Sequence, residues 1–121
     1  MSLIKLLLAD DDDLLSALLD YRLKKAGYDV TVCIDGKSVK SYLESNRPDV
    51  IVTDIMMPYF SGLEITDYVR NELKLAIPII ILSSAGNEEN VLSAFKLGAN
   101  DFLSKPVSPA ELLLRLKKEL G

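Results

Sequence analysis

The sequence predicts an α/β domain in which a five-stranded parallel sheet carries helices on both faces. Three observations predict it. Five short apolar runs recur along the chain: Leu3–Ala9, Val30–Ile34, Val50–Thr53, Ile77–Leu82 and Asn100–Leu103. The middle runs are rich in Val and Ile and barely alternate with polar residues, as strands do when both faces of their sheet are covered. Helical apolar stripes fill the gaps between the runs, and a strand–helix rhythm of this kind builds parallel sheets with right-handed crossovers.

The elements follow in order. The run Leu3-Ile4-Lys5-Leu6-Leu7-Leu8-Ala9 leads into four aspartates, Asp10 to Asp13. Leu15, Leu18, Leu19, Leu23 and Ala26 then form a helical stripe, and Gly27 is its stop, because glycine accepts the left-handed backbone that ends helices. After the second strand, a helix is expected from Gly36 to about Ser45. Ser61 with Glu64 has the spacing of a capping box and opens a helix with Ile65, Tyr68 and Val69 inward. Pro78 stands at the start of the fourth run, where a strand tolerates it. Val91, Leu92, Phe95 and Gly98 repeat the stripe and stop. Ser108-Pro109-Ala110-Glu111 combines an N-cap, a proline at the first helical position and a glutamate three residues past the cap; Leu112, Leu113, Leu116 and Leu120 follow on one side.

Composition bounds the function. A chain of 121 residues with 49% hydrophobic content suits one domain, residues 1–121, with one good core. A net charge of −4 without a basic face disfavours direct nucleic-acid binding. No run is long enough for a membrane span, and the N-terminal run, short and ending in aspartates, is not a signal peptide. Cys33 is the single cysteine, so no internal disulfide forms and a reducing cytoplasm fits. There is no histidine, which removes histidine chemistry from this chain and leaves carboxylates as metal ligands.

In parallel α/β sheets ligands sit beyond the carboxyl ends of the strands. There the sequence places Asp10 and Asp11 after the first strand, Asp54 after the third, Ser83 and Ser84 after the fourth, and Ser104-Lys105-Pro106 after the fifth. Each has an ordinary explanation alone: aspartates cap helices, and Asp12 and Asp13 are assigned that role only. Asp54 could be turn chemistry before Pro58, Met56 and Met57 could be loop or core filler, and Phe102 by itself reads as core. Together on one rim they suit one chemistry. Asp11 and Asp54 supply the two carboxylates that an octahedral Mg²⁺ takes alongside water and phosphate oxygens. Lys105 supplies a cation and Ser83 a hydroxyl for a phosphoryl group. Asp54, alone at the end of the central strand, is the candidate nucleophile, and its product would be an acyl phosphate.

This ordered set resembles the receiver domain of two-component response regulators. The resemblance runs from Lys5-Leu6-Leu7-Leu8-Ala9-Asp10-Asp11 through Val52-Thr53-Asp54-Ile55-Met56-Met57-Pro58, Ile80-Ile81-Leu82-Ser83-Ser84 and Gly98-Ala99-Asn100-Asp101-Phe102 to Lys105-Pro106. It implies a flavodoxin-like (βα)5 three-layer sandwich with strand order 2-1-3-4-5. It also implies roles: Asp54 as acceptor of a phosphoryl group from the phosphohistidine of a sensor histidine kinase or phosphotransfer protein; Asp10, Asp11, Asp54 and the Met56 carbonyl around Mg²⁺; Ser83 and Lys105 on the phosphoryl group; and Ser83 with Phe102 as the switch. A cis bond before Pro106 is part of the same pattern. The kinase side would dock near Leu14, Leu15 and the Pro106 loop, and an output partner near Phe95 and Phe102. Whether the chain is a whole regulator or the receiver of a longer one is left open.

Some positions depart from the family's habit. Ser83 stands where threonine is commoner, Tyr59 where glycine is frequent, Ser61 where an acidic residue or asparagine is usual, and Phe102 lacks the hydroxyl of the usual tyrosine. Three other readings compete. An aspartyl-nucleophile phosphatase would carry its nucleophile after the first strand, followed by a hydroxyl residue. A flavodoxin-type carrier would have a Ser/Thr/Gly-rich phosphate loop there. A docking receiver that is never phosphorylated would not need Asp11, Asp54, Ser83 and Lys105 together.

Overall fold

The computed structural model describes residues 3–84 and 86–121; Met1, Ser2 and Ala85 lie outside them. Five strands, β1 (Lys5–Ala9), β2 (Asp29–Cys33), β3 (Val50–Asp54), β4 (Ile79–Ser83) and β5 (Asp101–Ser104), alternate with α1 (Asp13–Lys25), α2 (Gly36–Ser45), α3 (Gly62–Asp67), α4 (Glu88–Leu97) and α5 (Pro109–Leu120). All pairings are parallel, and the order across the sheet is β2-β1-β3-β4-β5.

That order explains the even hydrophobicity of the strands. The chain steps from β1 outward to β2, then returns past β1 and proceeds the other way. With right-handed crossovers the first connection and the later ones must lie on opposite faces. Accordingly Leu6 and Leu8 of β1 join Leu19 and Leu23 of α1 and Leu112 and Leu116 of α5 in one cluster. Leu7 and Ala9 join Val39 and Leu43 of α2, Ile65 and Val69, and Val91 and Ala94 of α4 in the other. In the three central strands every side chain but that of Lys5 is buried, whichever way it points.

The helix starts are sharply specified. The Asp12 carboxylate accepts from the backbone N–H of Leu14 and Leu15, and Ser61 with Glu64 forms the full reciprocal box. Ser108 accepts from the Glu111 N–H at 3.3 Å, but the capping is one-sided, because the Glu111 carboxylate is taken by Arg115 at 3.2 Å. The α2 cap is Asp35, which accepts from both the N–H and the hydroxyl of Ser38 at 2.7 Å; these bonds hold its carboxyl below the ordinary aspartate range. Gly98, with φ of 114°, closes α4 in the left-handed conformation.

Several sequence expectations need correction. The strands are shifted: Leu3 and Ile4 precede β1 and are exposed, and Ile77 and Asn100 precede β4 and β5. Asn100 instead uses its side-chain oxygen to accept from the Ile79 N–H at 2.8 Å. In α1, Leu18 and Ala26 face solvent, and the inward position next to Leu15 belongs to Ser16. In α4, Leu92 and Phe95 are exposed and Val91 and Ala94 make the buried contact. Phe102, read alone as core, is 38% exposed. Beyond Asp67 the third helix widens into a π-helical turn, Tyr68–Glu72. The outward leucines and phenylalanines lengthened the apparent stripes beyond the faces that pack.

Candidate functional site

The site lies where the strand order reverses, between the carboxyl ends of β1 and β3, the position at which open α/β sheets bind ligands. The pairing register sets Ala9 beside Thr53, so the residues that follow, Asp10 and Asp54, emerge side by side. Asp10, Asp11 and Asp54 each present a carboxylate oxygen, all within 4.8 Å of one another. Asp10 is fully buried, Asp54 is 5% exposed, and Asp11 faces solvent.

Lys105 crosses from the end of β5 to close the cluster. Its ammonium lies 3.0 Å from Asp10 Oδ2 and 3.0 Å from Asp54 Oδ2. The Lys105 N–H donates to the Ser83 carbonyl at 2.7 Å, and the Lys105–Pro106 bond is cis. Burial and the neighbouring Asp10 charge push the Asp54 pKa up, against the opposing pull of Lys105. Burial alone would lower the Lys105 pKa, but its contacts with Asp10 and Asp54 outweigh this and raise it.

Each carboxylate is aimed by its surroundings. Asp10 Oδ1 accepts from the Asp12 N–H at 2.8 Å, and the Asp10 carbonyl accepts from the Ser16 hydroxyl at 3.1 Å. Asp54 Oδ1 accepts from the Met56 N–H at 3.3 Å. Gly62 packs directly on the Asp54 backbone: a Cβ there would sit 2.5 Å from the Asp54 carbonyl oxygen. Sequence reasoning missed Ser16 and the packing role of Gly62. The only signal for Ser16 was a hydroxyl residue between two leucines that were expected inward.

The residues present fit a divalent cation. The donor set is oxygen only, the choice of hard cations. Asp10 Oδ2 is buried and, among the described residues, makes the ionic contact with Lys105 without hydrogen-bond geometry. Asp11 and Asp54 are the candidate direct ligands, with the backbone carbonyl of Met56 on the adjoining loop.

Ser83 ends β4 at the same rim, its hydroxyl donating to the Ser84 carbonyl at 3.1 Å. Phe102 is not brought into the acidic cluster. It stands on β5 with its ring edge-on to Phe95 of α4, centroids 6.1 Å apart. Ser83 and Phe102 nevertheless share a cavity of about 330 Å³, whose wall includes Ser84, Val91, Leu92 and Phe95.

Comparison with known proteins agrees with this geometry. A family model described as the response regulator receiver domain matches residues 6–117. The alkaline phosphatase synthesis transcriptional regulatory protein PhoP of Bacillus subtilis (strain 168) is 37% identical over 113 residues, 93% of this chain and 47% of its own length. The chain thus spans about half of that relative. Among solved structures, the receiver domain of Francisella response regulator 1452 superposes with a TM-score of 0.85 at 36% identity, covering 94% of this chain and 93% of its own. The chemotaxis response regulator CheY4 of Vibrio cholerae gives a TM-score of 0.89 at 30% identity, covering 97% and 98%. The acidic pocket at the β1/β3 switch point, the lysine that closes it and the family match over nearly the whole chain lead to one conclusion: the chain belongs to the response regulator receiver domain family.

Proposed function

We propose that this receiver takes a phosphoryl group onto Asp54 from the phosphohistidine of a sensor histidine kinase or phosphotransfer protein, with Mg²⁺ held by Asp11, Asp54 and the Met56 carbonyl and with Asp10 orienting metal-bound water. The observation that carries this reading is the Lys105 ammonium 3.0 Å from both Asp10 and Asp54 within a tight carboxylate cluster. A cation so placed can pair with an oxygen of a group that arrives on Asp54.

In the transfer, an Asp54 carboxylate oxygen attacks phosphorus, the P–N bond to the imidazole breaks, and the freed histidine nitrogen keeps the bonding pair. Mg²⁺ supplies neutralising charge for the crowded carboxylates and the phosphoryl oxygens. The chain's own residues do the rest. Lys105 stabilises the phosphoryl charge, and the Ser83 hydroxyl exchanges its bond to the Ser84 carbonyl for one to a phosphoryl oxygen. Because these groups come from the receiver, it promotes its own phosphorylation and the later hydrolysis.

The switch is read through packing. As Ser83 moves toward Asp54, Phe102 can leave its edge contact with Phe95 and occupy the cavity of about 330 Å³ beside Ser83. Phe102 has no hydroxyl, so the inward state is favoured by apolar burial alone. The altered α4–β5 face would meet the output partner. The exposed side chains Leu14, Leu18 and Tyr21 on α1 would meet the kinase or phosphotransfer helices. Among the described residues no helix is long and apolar enough to cross a membrane, and free, buried Cys33 suits the cytoplasm in which such kinases act. No direct nucleic-acid contact is assigned to this domain; PhoP is named as a transcriptional regulator, and a DNA-binding output would lie outside these residues.

The test is transfer from a labelled phosphohistidine protein to the chain in Mg²⁺. The expected product is a hydroxylamine-labile acyl phosphate on Asp54. Label that stays on the donor under all Mg²⁺ concentrations, or a hydroxylamine-stable phosphate on the product, would contradict the proposal.

A further inference from the structure

We infer that the first two turns of α2 hold the metal-site loop in shape, with Gly36 and Lys40 as positioning residues for the Met56 segment. The inference rests on the metal assignment above and extends it to residues that do not touch the site.

The loop from Met56 to Ser61 joins β3 to α3 and is tied at both ends. At its base, the Gly62 N–H donates to the Ile55 carbonyl at 2.9 Å, next to the close packing of Gly62 on Asp54. At its tip, the Pro58 carbonyl accepts twice, from the Phe60 N–H at 2.9 Å and from the Gly36 N–H of α2 at 3.1 Å. Between base and tip sits Met56, whose N–H reaches Asp54 Oδ1.

Two lysines of α2 add side-chain ties. Lys40 Nζ lies 3.8 Å from the Phe60 ring centroid and 4.8 Å from that of Tyr68. Lys37 Nζ lies 5.6 Å from the Tyr59 ring. Ammonium–ring contacts of this kind are attractive and strengthen when partly desolvated. Gly36 is required by proximity: a Cβ there would meet the Phe60 carbonyl oxygen at 2.3 Å and the Phe60 Cβ at 2.5 Å.

The loop needs this support because its backbone is strained. Tyr59 has φ of 71°, the left-handed region that disfavours any residue with a Cβ. Strain of that kind persists only where the surroundings over-determine it. Without the α2 contacts the loop would populate other shapes, and the affinity for a divalent ion would fall by the fraction of molecules in which Met56 is correctly placed.

The test is a Mg²⁺ titration followed by the amide chemical shifts of Asp11 and Met56, with no phosphodonor. Lys40→Met keeps the aliphatic stem and removes the charge; it should weaken Mg²⁺ binding about fivefold, while Lys40→Arg, which keeps a cation over the rings, should restore it. Gly36→Ala should weaken it more. If Lys40→Met and a folded Gly36→Ala both bind Mg²⁺ as the parent does, the inference is wrong. If Lys40→Arg is as weak as Lys40→Met, the cation–ring contact is not the cause, and the inference is equally overturned. If the parent itself shows no Mg²⁺-dependent shift at Asp11 and Met56, the metal assignment fails, which is a distinguishable result.

Discussion

Lys105 and Asp54, 51 residues apart in the chain, meet at 3.0 Å across the carboxyl edge of the sheet. The same ammonium lies 3.0 Å from buried Asp10. One cation therefore balances two carboxylates that would otherwise repel each other in a poorly solvated place.

Removing it has a measurable cost. Lys105→Ala should lower stability by about 2 kcal/mol in EDTA, since two buried carboxylates lose their partner. Added Mg²⁺ should narrow the gap. Chemical denaturation with and without the ion checks both; equal stabilities in EDTA would show that Lys105 is not the counter-charge.

Asp54→Asn should have the opposite sign without metal, because it relieves the repulsion with Asp10 and Asp11. It should also lose most of the stabilisation that Mg²⁺ gives the parent, about 1.4 kcal/mol at ten times the dissociation constant. A variant that melts at a higher temperature in EDTA and no longer responds to Mg²⁺ is the expected outcome.

Gly62→Ala places a methyl 2.5 Å from the Asp54 carbonyl oxygen. Backbone cannot yield there cheaply, so a loss of about 1–3 kcal/mol is expected. Thermal melting that matches the parent would show that the loop base is looser than its packing implies.

Alkaline pH should expose Cys33. Burial, reinforced by the Asp35 charge, pushes its thiol up to about 11. Its folded pKa is above the unfolded value near 8.5, so stability is complete below about pH 8.5 and falls as pH rises toward 11. The loss approaches about 3 kcal/mol at 1.36 kcal/mol per unit. Cys33→Ala should flatten that part of the stability curve between pH 8.5 and 11; an unchanged slope would assign the loss to other groups.

Much of this molecule was legible before its coordinates. The five strand–helix units followed from the apolar runs, and Asp10, Asp11, Asp54, Ser83 and Lys105 all reach one rim because parallel strands end on one edge. The caps at Asp12, Ser61 and Ser108 were readable because capping is local chemistry. What escaped depends on contacts between distant segments. Nothing near Gly36 announces that Phe60 will press against it, and nothing near Gly62 announces the Asp54 backbone. Leu92 and Phe95 were drawn into the apparent helical stripe because an exposed apolar side chain and a buried one look alike in a sequence. The Asp35 cap was overlooked because Gly36-Lys37 is a poor helix opening by propensity, and only the cap with Ser38 makes up for it.

Coupling from the acidic site to Phe102 should pass through Lys105 and Ser83. After phosphorylation, the aromatic signals of Phe102 should shift in the parent and stay near the resting position in Lys105→Ala. Matching spectra for the two phosphorylated proteins would place the coupling elsewhere.

The most direct test of the central assignment is intact-mass analysis after incubation with acetyl phosphate and Mg²⁺. The parent should gain one phosphoryl group, lose it on treatment with hydroxylamine, and gain none in EDTA, while Asp54→Asn stays at its starting mass. Equal labelling of the parent and Asp54→Asn would contradict the assignment of Asp54 as the acceptor.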